Sequence, residues 1–277
     1  MRKLFYLFMV AMCATMFTAC SDDDDKDPLD DDGEGKEGVI TMTTEETYIH
    51  LYVATFNEGD IITIDWGDGD PEEFKSFKVY QDWDEDGEDE IHYVLSTYDI
   101  EHEYSNKNPH IVTIKGNIKR LNCVYNNLTS LNVSGCTALT YLDCSPNNLT
   151  SLDVSKNTAL TYLSCGYNNL TSLDVSKNTK LTELDCSHND LTSLDVSKNT
   201  ALTYLDCSGN NLTSLDVSKN TALTRLDCSG NNLTSAALNQ IFRDLPQVTS
   251  RTIYMSGNPG TETCDKSIAE NKGWKVK

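Results

Sequence analysis

Basic residues are scarce in this 277-residue chain: 22 Lys and Arg stand against 43 Asp and Glu, a formal net charge of −21. A chain this acidic repels phosphate backbones, which excludes nucleic acid as an electrostatic partner. Long apolar runs are also lacking; the stretch from Leu4 to Ala19 is short for a membrane span. Enzyme signatures are missing as well. His50, His92, His102, His110 and His188 form no H-E-x-x-H motif, and no G-x-S-x-G, phosphate-binding loop or dinucleotide fingerprint occurs. The chain is therefore expected to be non-enzymatic. Through its middle it also lacks any 3.6-residue apolar stripe, and Thr, Ser, Asn and Asp are too frequent there for helix.

What that middle contains is repetition. The unit L-T-Y-L-D-C-S-P-N-N-L-T-S-L-D-V-S-K-N-T-A, written from Leu139 to Ala159, restarts at Ile118, Leu139, Leu160, Leu181, Leu202 and Leu223, a constant spacing of 21 residues. Each half alternates apolar and polar residues, as a short strand with one buried face does. Leu139, Leu142, Cys144, Leu149, Leu152 and Val154 are predicted to point inward, and Tyr141, Asp143, Thr150, Ser151 and Asp153 outward. One such rung cannot bury its own apolar edge, so stability must come from stacking neighbours. The expectation is a flattened coil with a parallel sheet on one side and extended segments on the other.

Asn126, Asn147, Asn168, Asn189, Asn210 and Asn231 share one offset, where an inward amide would satisfy the backbone of the first turn. Asn157, Asn178, Asn199 and Asn220 repeat the device at the other turn, with Cys136 in its place in the first rung. Cys123, Cys144, Cys165, Cys186, Cys207 and Cys228 are also in register. Their spacing does not suit a metal cluster, and in-register parallel strands seldom give disulfide geometry, so they are best read as small buried hydrophobes. With these residues in place, the units resemble the cysteine-ladder leucine-rich repeats of internalin-type bacterial surface proteins. The resemblance implies a solenoid that binds proteins or glycans on its concave strand face.

Ahead of the repeats, Arg2 and Lys3 precede the apolar run, and Phe17-Thr18-Ala19-Cys20 resembles a lipobox. Residues 1–19 are thus expected to be a signal peptide and Cys20 the acylated first residue of the mature chain, whose net charge would be −23 once Arg2 and Lys3 are removed. Ser21-Asp22-Asp23-Asp24-Asp25 resembles the acidic tag of surface-exposed lipoproteins of the Gram-negative outer membrane. Residues 20–38, rich in Asp, Glu and Gly, are predicted to be a solvated tether.

Residues 39–116 change character, with strand-like runs at Tyr48–Ala54, Ile61–Asp65 and Ile111–Lys115. Trp66-Gly67-Asp68-Gly69 fits a tight turn, and Tyr104 stands where a corner tyrosine bonds back to the chain. This set resembles a PKD-type immunoglobulin-like domain with an insertion from Phe74 to Tyr98. Within the insertion, Asp82, Asp84 and Asp86, followed by Gly87, resemble the opening of a calcium loop, although Tyr93 occupies the position of the closing Glu. The alternative is an acidic hairpin tip between Phe77–Tyr80 and Ile91–Leu95. Beyond residue 235, Leu238, Ile241, Phe242 and Leu245 predict a helix stopped by Pro246, with a strand at Thr252–Met255 and a second short helix near Lys266–Lys272.

The predicted architecture is mainly β. An amino-terminal PKD-like sandwich (39–116) leads into a solenoid of six repeats (117–235) and a small α/β cap (236–277). Candidate binding residues are the outward positions that change from rung to rung while Leu, Asn and Thr-Ser stay fixed. They are Arg120, Tyr141, Tyr162, Glu183, Tyr204 and Arg225 in one column, with Asp143, Asp185, Asp206 and Asp227 in the next. Tyrosines beside carboxylates can pack on sugar faces or anchor a protein partner; they are also ordinary exposed strand residues. The functional expectation is a lipid-anchored surface module that binds a glycan or protein, or else a spacer subunit of an outer-membrane assembly.

Overall fold

The computed structural model describes residues 37–81, 90–96 and 99–277. Cys20 and the Asp82, Asp84, Asp86 loop lie outside the described residues. Among the described residues no helix is long and apolar enough to cross a membrane.

The fold is mainly β, and its centre is a solenoid built from the 21-residue repeats. The first half of each rung supplies one short strand: β9 (Ile118–Asn122), β11 (Tyr141–Asp143), β12 (Tyr162–Ser164), β13 (Glu183–Asp185), β14 (Tyr204–Asp206) and β15 (Arg225–Asp227), while β10 (Ser130–Asn132) is a second-half segment of the first rung. All six first-half strands pair in parallel, with Leu121, Leu142, Leu163, Leu184, Leu205 and Leu226 in register. These leucines are fully buried, which removes about 2 kcal/mol of apolar exposure each. The in-register thiols are free and buried, and burial holds the Cys144 and Cys186 thiols well above their ordinary range. Cys123, Cys144, Cys186, Cys207 and Cys228 donate weakly along the sheet, as Cys144 Sγ does to the Ser164 carbonyl at 3.4 Å.

Two asparagine ladders close the turns. Asn189 Nδ2 donates to the carbonyls of Cys165, Cys186 and Ser187 at 3.0–3.2 Å, and its Oδ1 accepts from Leu170 N at 2.9 Å. At the other turn Asn178 Nδ2 donates to Val154 O and Asn157 O of the preceding rung at 2.9 and 2.8 Å. At the first turn the amide oxygen pairs a backbone N–H that would otherwise be buried and unpaired, and at the second the amide adds a donor to carbonyls that already accept from Asn157 N and Leu160 N.

The sheet runs past the six repeats at both ends. After α1 (Ser235–Asp244), capped by Thr234 Oγ1, strand β16 (Arg251–Tyr254) pairs in parallel with β15, and β17 (Trp274–Val276) follows the short helix α2 (Ser267–Glu270) to pair with β16. The segment Ile253-Tyr254-Met255-Ser256-Gly257-Asn258 is a further turn of the coil: Asn258 Nδ2 donates to Cys228 O and Met255 O, and its Oδ1 accepts from Leu233 N. The predicted cap is thus threaded into the solenoid sheet.

At the amino end, β1 (Gly38–Thr44), β3 (Ile61–Asp65), β4 (Glu72–Lys75) and β8 (His110–Gly116) join β10 in one sheet, ordered β10-β1-β8-β3-β4. Strands β2 (Tyr48–Thr55), β5 (Phe77–Gln81) and β6 (Glu90–Val94) extend the solenoid sheet instead, with β7 (Ile100–Glu103) on β2. Antiparallel pairing of Val53 with Leu121 and of Met42 with Leu131 ties both halves of the first rung to these strands. Asn126 completes the join by exchanging two bonds with His50: its Nδ2 donates to the carbonyl and its Oδ1 accepts from the amide. The departure at Cys136 has its reason here. No earlier rung exists to clasp, and Gly38 of β1 packs where a Cβ would collide with Cys136 Sγ. The turn at Trp66 follows the sequence reading, with Gly67 at φ +86° and Tyr104 Oη donating to Trp66 O at 3.0 Å. Strands β5 and β6 form the hairpin expected from Phe77 and Ile91.

Candidate functional site

Because side chains alternate along a strand, each three-residue strand buries its leucine and turns the residues on either side to the opposite face, where Ser164 is the one that stays buried. Parallel registry then stacks those residues into columns. The first reads Ala54, Arg120, Tyr141, Tyr162, Glu183, Tyr204, Arg225, Thr252, Lys275. Tyr141 and Tyr162 stack with ring centroids 4.2 Å apart and planes 7° from parallel. The Arg120 guanidinium lies 4.5 Å from the Tyr141 centroid, and Arg225 lies 5.2 Å from Tyr204 and 5.4 Å from Tyr254. Aromatic and cation–π contacts thus hold these side chains in place before any ligand arrives. Burial against neighbours raises the Tyr141 and Tyr162 phenols and pushes Tyr204 up to about 12, with Asp206 adding to the shift at Tyr204. All three remain neutral hydroxyls at physiological pH.

The second column reads Tyr52, Asn122, Asp143, Ser164, Asp185, Asp206, Asp227, Tyr254. Here the carboxylates have a local task. Oδ1 of Asp143, Asp185, Asp206 and Asp227 accepts from the backbone N–H of the serine two residues on, at 2.9–3.1 Å. The serine hydroxyls of Ser145, Ser208 and Ser229 add a second bond to the same oxygen. One carboxylate oxygen therefore shapes the turn, and at Asp206 the other accepts from Tyr204 Oη at 3.4 Å. Burial raises the carboxyl pKa of Asp143.

All ten candidate side chains thus fall on one face. Others on the same side escaped the sequence reading. Tyr52 and Tyr254 join the second column from outside the repeats, so no period marks them. At the rim, the eighth position of each rung reads Tyr125, Pro146, Tyr167, His188, Gly209, Gly230. Tyr125, Tyr167 and His188 hold φ of 49–55°, the conformation that Gly209, Gly230 and Gly257 adopt without a side chain. Such a backbone costs a bulky residue about 1 kcal/mol or more, yet Tyr125 and Tyr167 are 72% and 56% exposed. Tyr167 stacks on His188 at 4.2 Å. The column was detectable in sequence, since it varies where its neighbours do not.

A family model for leucine-rich repeats (two copies) matches residues 158–199 and 200–249. The functional domain of InlJ from Listeria monocytogenes, which includes a cysteine ladder, is 32% identical, covers 58% of this chain and is itself covered over 44%, with a TM-score of 0.37. An internalin, inlF, from Listeria monocytogenes is 21% identical, with 45% of this chain and 43% of that chain covered and a TM-score of 0.38. A chain of the LRIM1/APL1C complex is 26% identical, with 51% and 31% covered and a TM-score of 0.42. This chain spans less than half the length of each of these structures. No curated protein matches it.

Proposed function

We propose that this leucine-rich-repeat protein is a non-catalytic binding module, lipid-anchored through Cys20 and displayed on the outer membrane of a Gram-negative cell. Its strand face recognises an extracellular glycan or protein. The observation that carries this reading is the contrast between columns. Residues that build the coil repeat without change, whereas Arg120, Tyr141, Tyr162, Glu183, Tyr204 and Arg225 vary on one exposed surface. Scaffold demands do not account for stacked tyrosines flanked by guanidiniums, and those residue types dominate recognition surfaces. Residues 39–116 serve in this reading as a PKD-like module that caps the solenoid. Asp82, Asp84 and Asp86 are its calcium candidates.

The test is binding of the purified chain to glycan and extracellular-protein arrays, with calcium and with chelator. A hit that disappears in Tyr141→Ala/Tyr162→Ala/Tyr204→Ala, with the melting transition retained, supports the strand face. A hit lost only with chelator moves the contact to the acidic loop. Absence of any hit, together with a stoichiometric envelope partner on co-purification, replaces this reading with that of a spacer subunit.

A further inference from the structure

The carboxy-terminal corner of the strand face gathers basic residues in an acidic molecule. Arg225, Arg251, Lys275 and Lys277 gather there on three neighbouring strands and their ends, in a chain of net charge −21. None of the four has a carboxylate within ion-pair distance among the described residues. With acids in twofold excess, unpaired cations at one corner are not what random placement gives. Between the two arginines lies a hollow of about 300 Å³ lined by Thr224, Arg225, Ser250, Arg251, Thr252 and Tyr254. Its lining offers two guanidiniums, three aliphatic hydroxyls and one phenol, and no carboxylate. Arg225 is held against the Tyr204 and Tyr254 rings, and Lys277 Nζ lies 5.5 Å from the Tyr254 centroid. Ser250 adopts φ +59°, a strained value for a residue with a side chain, at the mouth of the same hollow.

We propose that this hollow is an anion subsite that takes one acidic sugar residue, a ring bearing a carboxylate or a sulfate, at the end of an otherwise neutral glycan lying along the tyrosine column. Guanidinium forks pair with planar or tetrahedral oxyanions, and the hydroxyls of Ser250 and Thr252 match the hydroxyls of a sugar, while Thr224 Oγ1, which donates to Thr203 O at 3.0 Å, keeps only acceptor capacity. The volume suits a small ligand group rather than a protein surface. The neighbouring column limits the charge to one residue: Asp143, Asp185, Asp206 and Asp227 run beside the tyrosines and repel a uniformly charged polymer. The subsite rests on the strand-face reading, and deepens it by naming the ligand class.

The experiment uses the full chain and an array printed in matched sets: neutral oligosaccharides, the same chains ending in one glucuronic acid or one sulfated sugar, a uniformly sulfated polymer, and an Asp/Glu-rich peptide. The expected result is that a singly acidic chain binds at least about tenfold more tightly than its neutral match. Arg225→Gln/Arg251→Gln should remove that difference with a cooperative melting transition retained, and added salt should reduce it. The carboxylate and sulfate arms show which oxyanion is preferred. Equal binding of acidic and neutral chains, with both lost in Tyr141→Ala/Tyr162→Ala, overturns the subsite and leaves the strand-face reading standing. Preference for the polymer or the peptide overturns the single-residue proposal. Binding to no saccharide overturns the subsite, and an empty protein array beside it removes the strand-face reading too.

Discussion

The two long sides of the coil share one backbone and one period, yet they use it differently. On the back, Asp153, Asp174, Asp195 and Asp216 are identical from rung to rung, as are Lys156, Lys177, Lys198 and Lys219. On the front, the corresponding columns run through arginine, tyrosine, glutamate and serine. The back aspartates accept from the serine two residues on, as Asp195 does from Ser197 N at 2.8 Å, just as the front aspartates do. The same turn device therefore operates on both sides, and turn formation does not explain why the front varies from rung to rung while the back, ahead of α1, changes only at Asn132 and Gly135 of the first rung in these columns. Repetition marks what the coil needs, and variation in register marks what it leaves free for recognition.

The sharpest way to probe that division is to break something both sides depend on. Asn189→Ala leaves the buried Leu170 amide without its partner and takes one of two donors from the carbonyls of Cys165, Cys186 and Ser187, and should cost about 1–3 kcal/mol in chemical denaturation. Asp195→Ala on the back, which loses an exposed turn bond, should leave the midpoint nearly unchanged. A midpoint that moves as far for Asp195 as for Asn189 would mean that the ladder does not hold the coil together.

Next in size is the amino-terminal join, where the back is not solvent-facing. The column that carries Lys156 in the second rung carries Gly135 in the first, and a Cβ there would stand 2.5 Å from Val39 O. Gly135→Ala should therefore destabilise the chain by about 1–3 kcal/mol, whereas Lys156→Ala should have little effect. Equal tolerance of both would show that β1 is not docked on the first rung.

The smallest effect is electrostatic, and it separates two chemically identical aspartates. Burial raises the Asp143 carboxyl, so the folded state binds its proton more tightly than the unfolded chain does. Its contribution to stability is greatest at low pH and is lost as pH rises through the interval between the ordinary carboxylate value and the raised one. The Ser218 amide lowers Asp216, so its contribution is present above the ordinary value and is lost as pH falls. Melting temperature followed from pH 3 to pH 7 (a range of about four units) should show Asp143→Asn gaining on the parent chain with rising pH and Asp216→Asn losing ground. Identical pH profiles for the two variants would contradict the difference in burial.

Most of the solenoid was legible because its physics is periodic: leucine, cysteine and asparagine at fixed offsets specify strand, core and turn. The further turn at Ile253–Asn258 was less legible, although Ile-Tyr-Met-Ser-Gly-Asn parallels Leu226-Asp-Cys-Ser-Gly-Asn231. Helix α1 lengthens the connection, so Asn258 follows Asn231 by 27 residues instead of 21. The amino-terminal join was not legible, because pairing of Val53 with Leu121 depends on which strand edge is free, and no local pattern records that. The front columns could be read from variation alone. The corner at Arg225 and Arg251 could not, because Arg251, Thr252 and Tyr254 lie beyond the regular period.

The central claim is that recognition belongs to the varying face and not to the repeated one. Its most direct measurement is the affinity of one array hit for three forms of the chain: the parent, the front variant Tyr141→Ala/Tyr162→Ala/Tyr204→Ala, and the back variant Lys156→Ala/Lys177→Ala/Lys198→Ala. The account predicts that binding falls by at least about a hundredfold in the front variant, the loss of two or more contact residues worth over 1 kcal/mol each, and is unchanged in the back variant. Binding lost in the back variant and retained in the front one would contradict it.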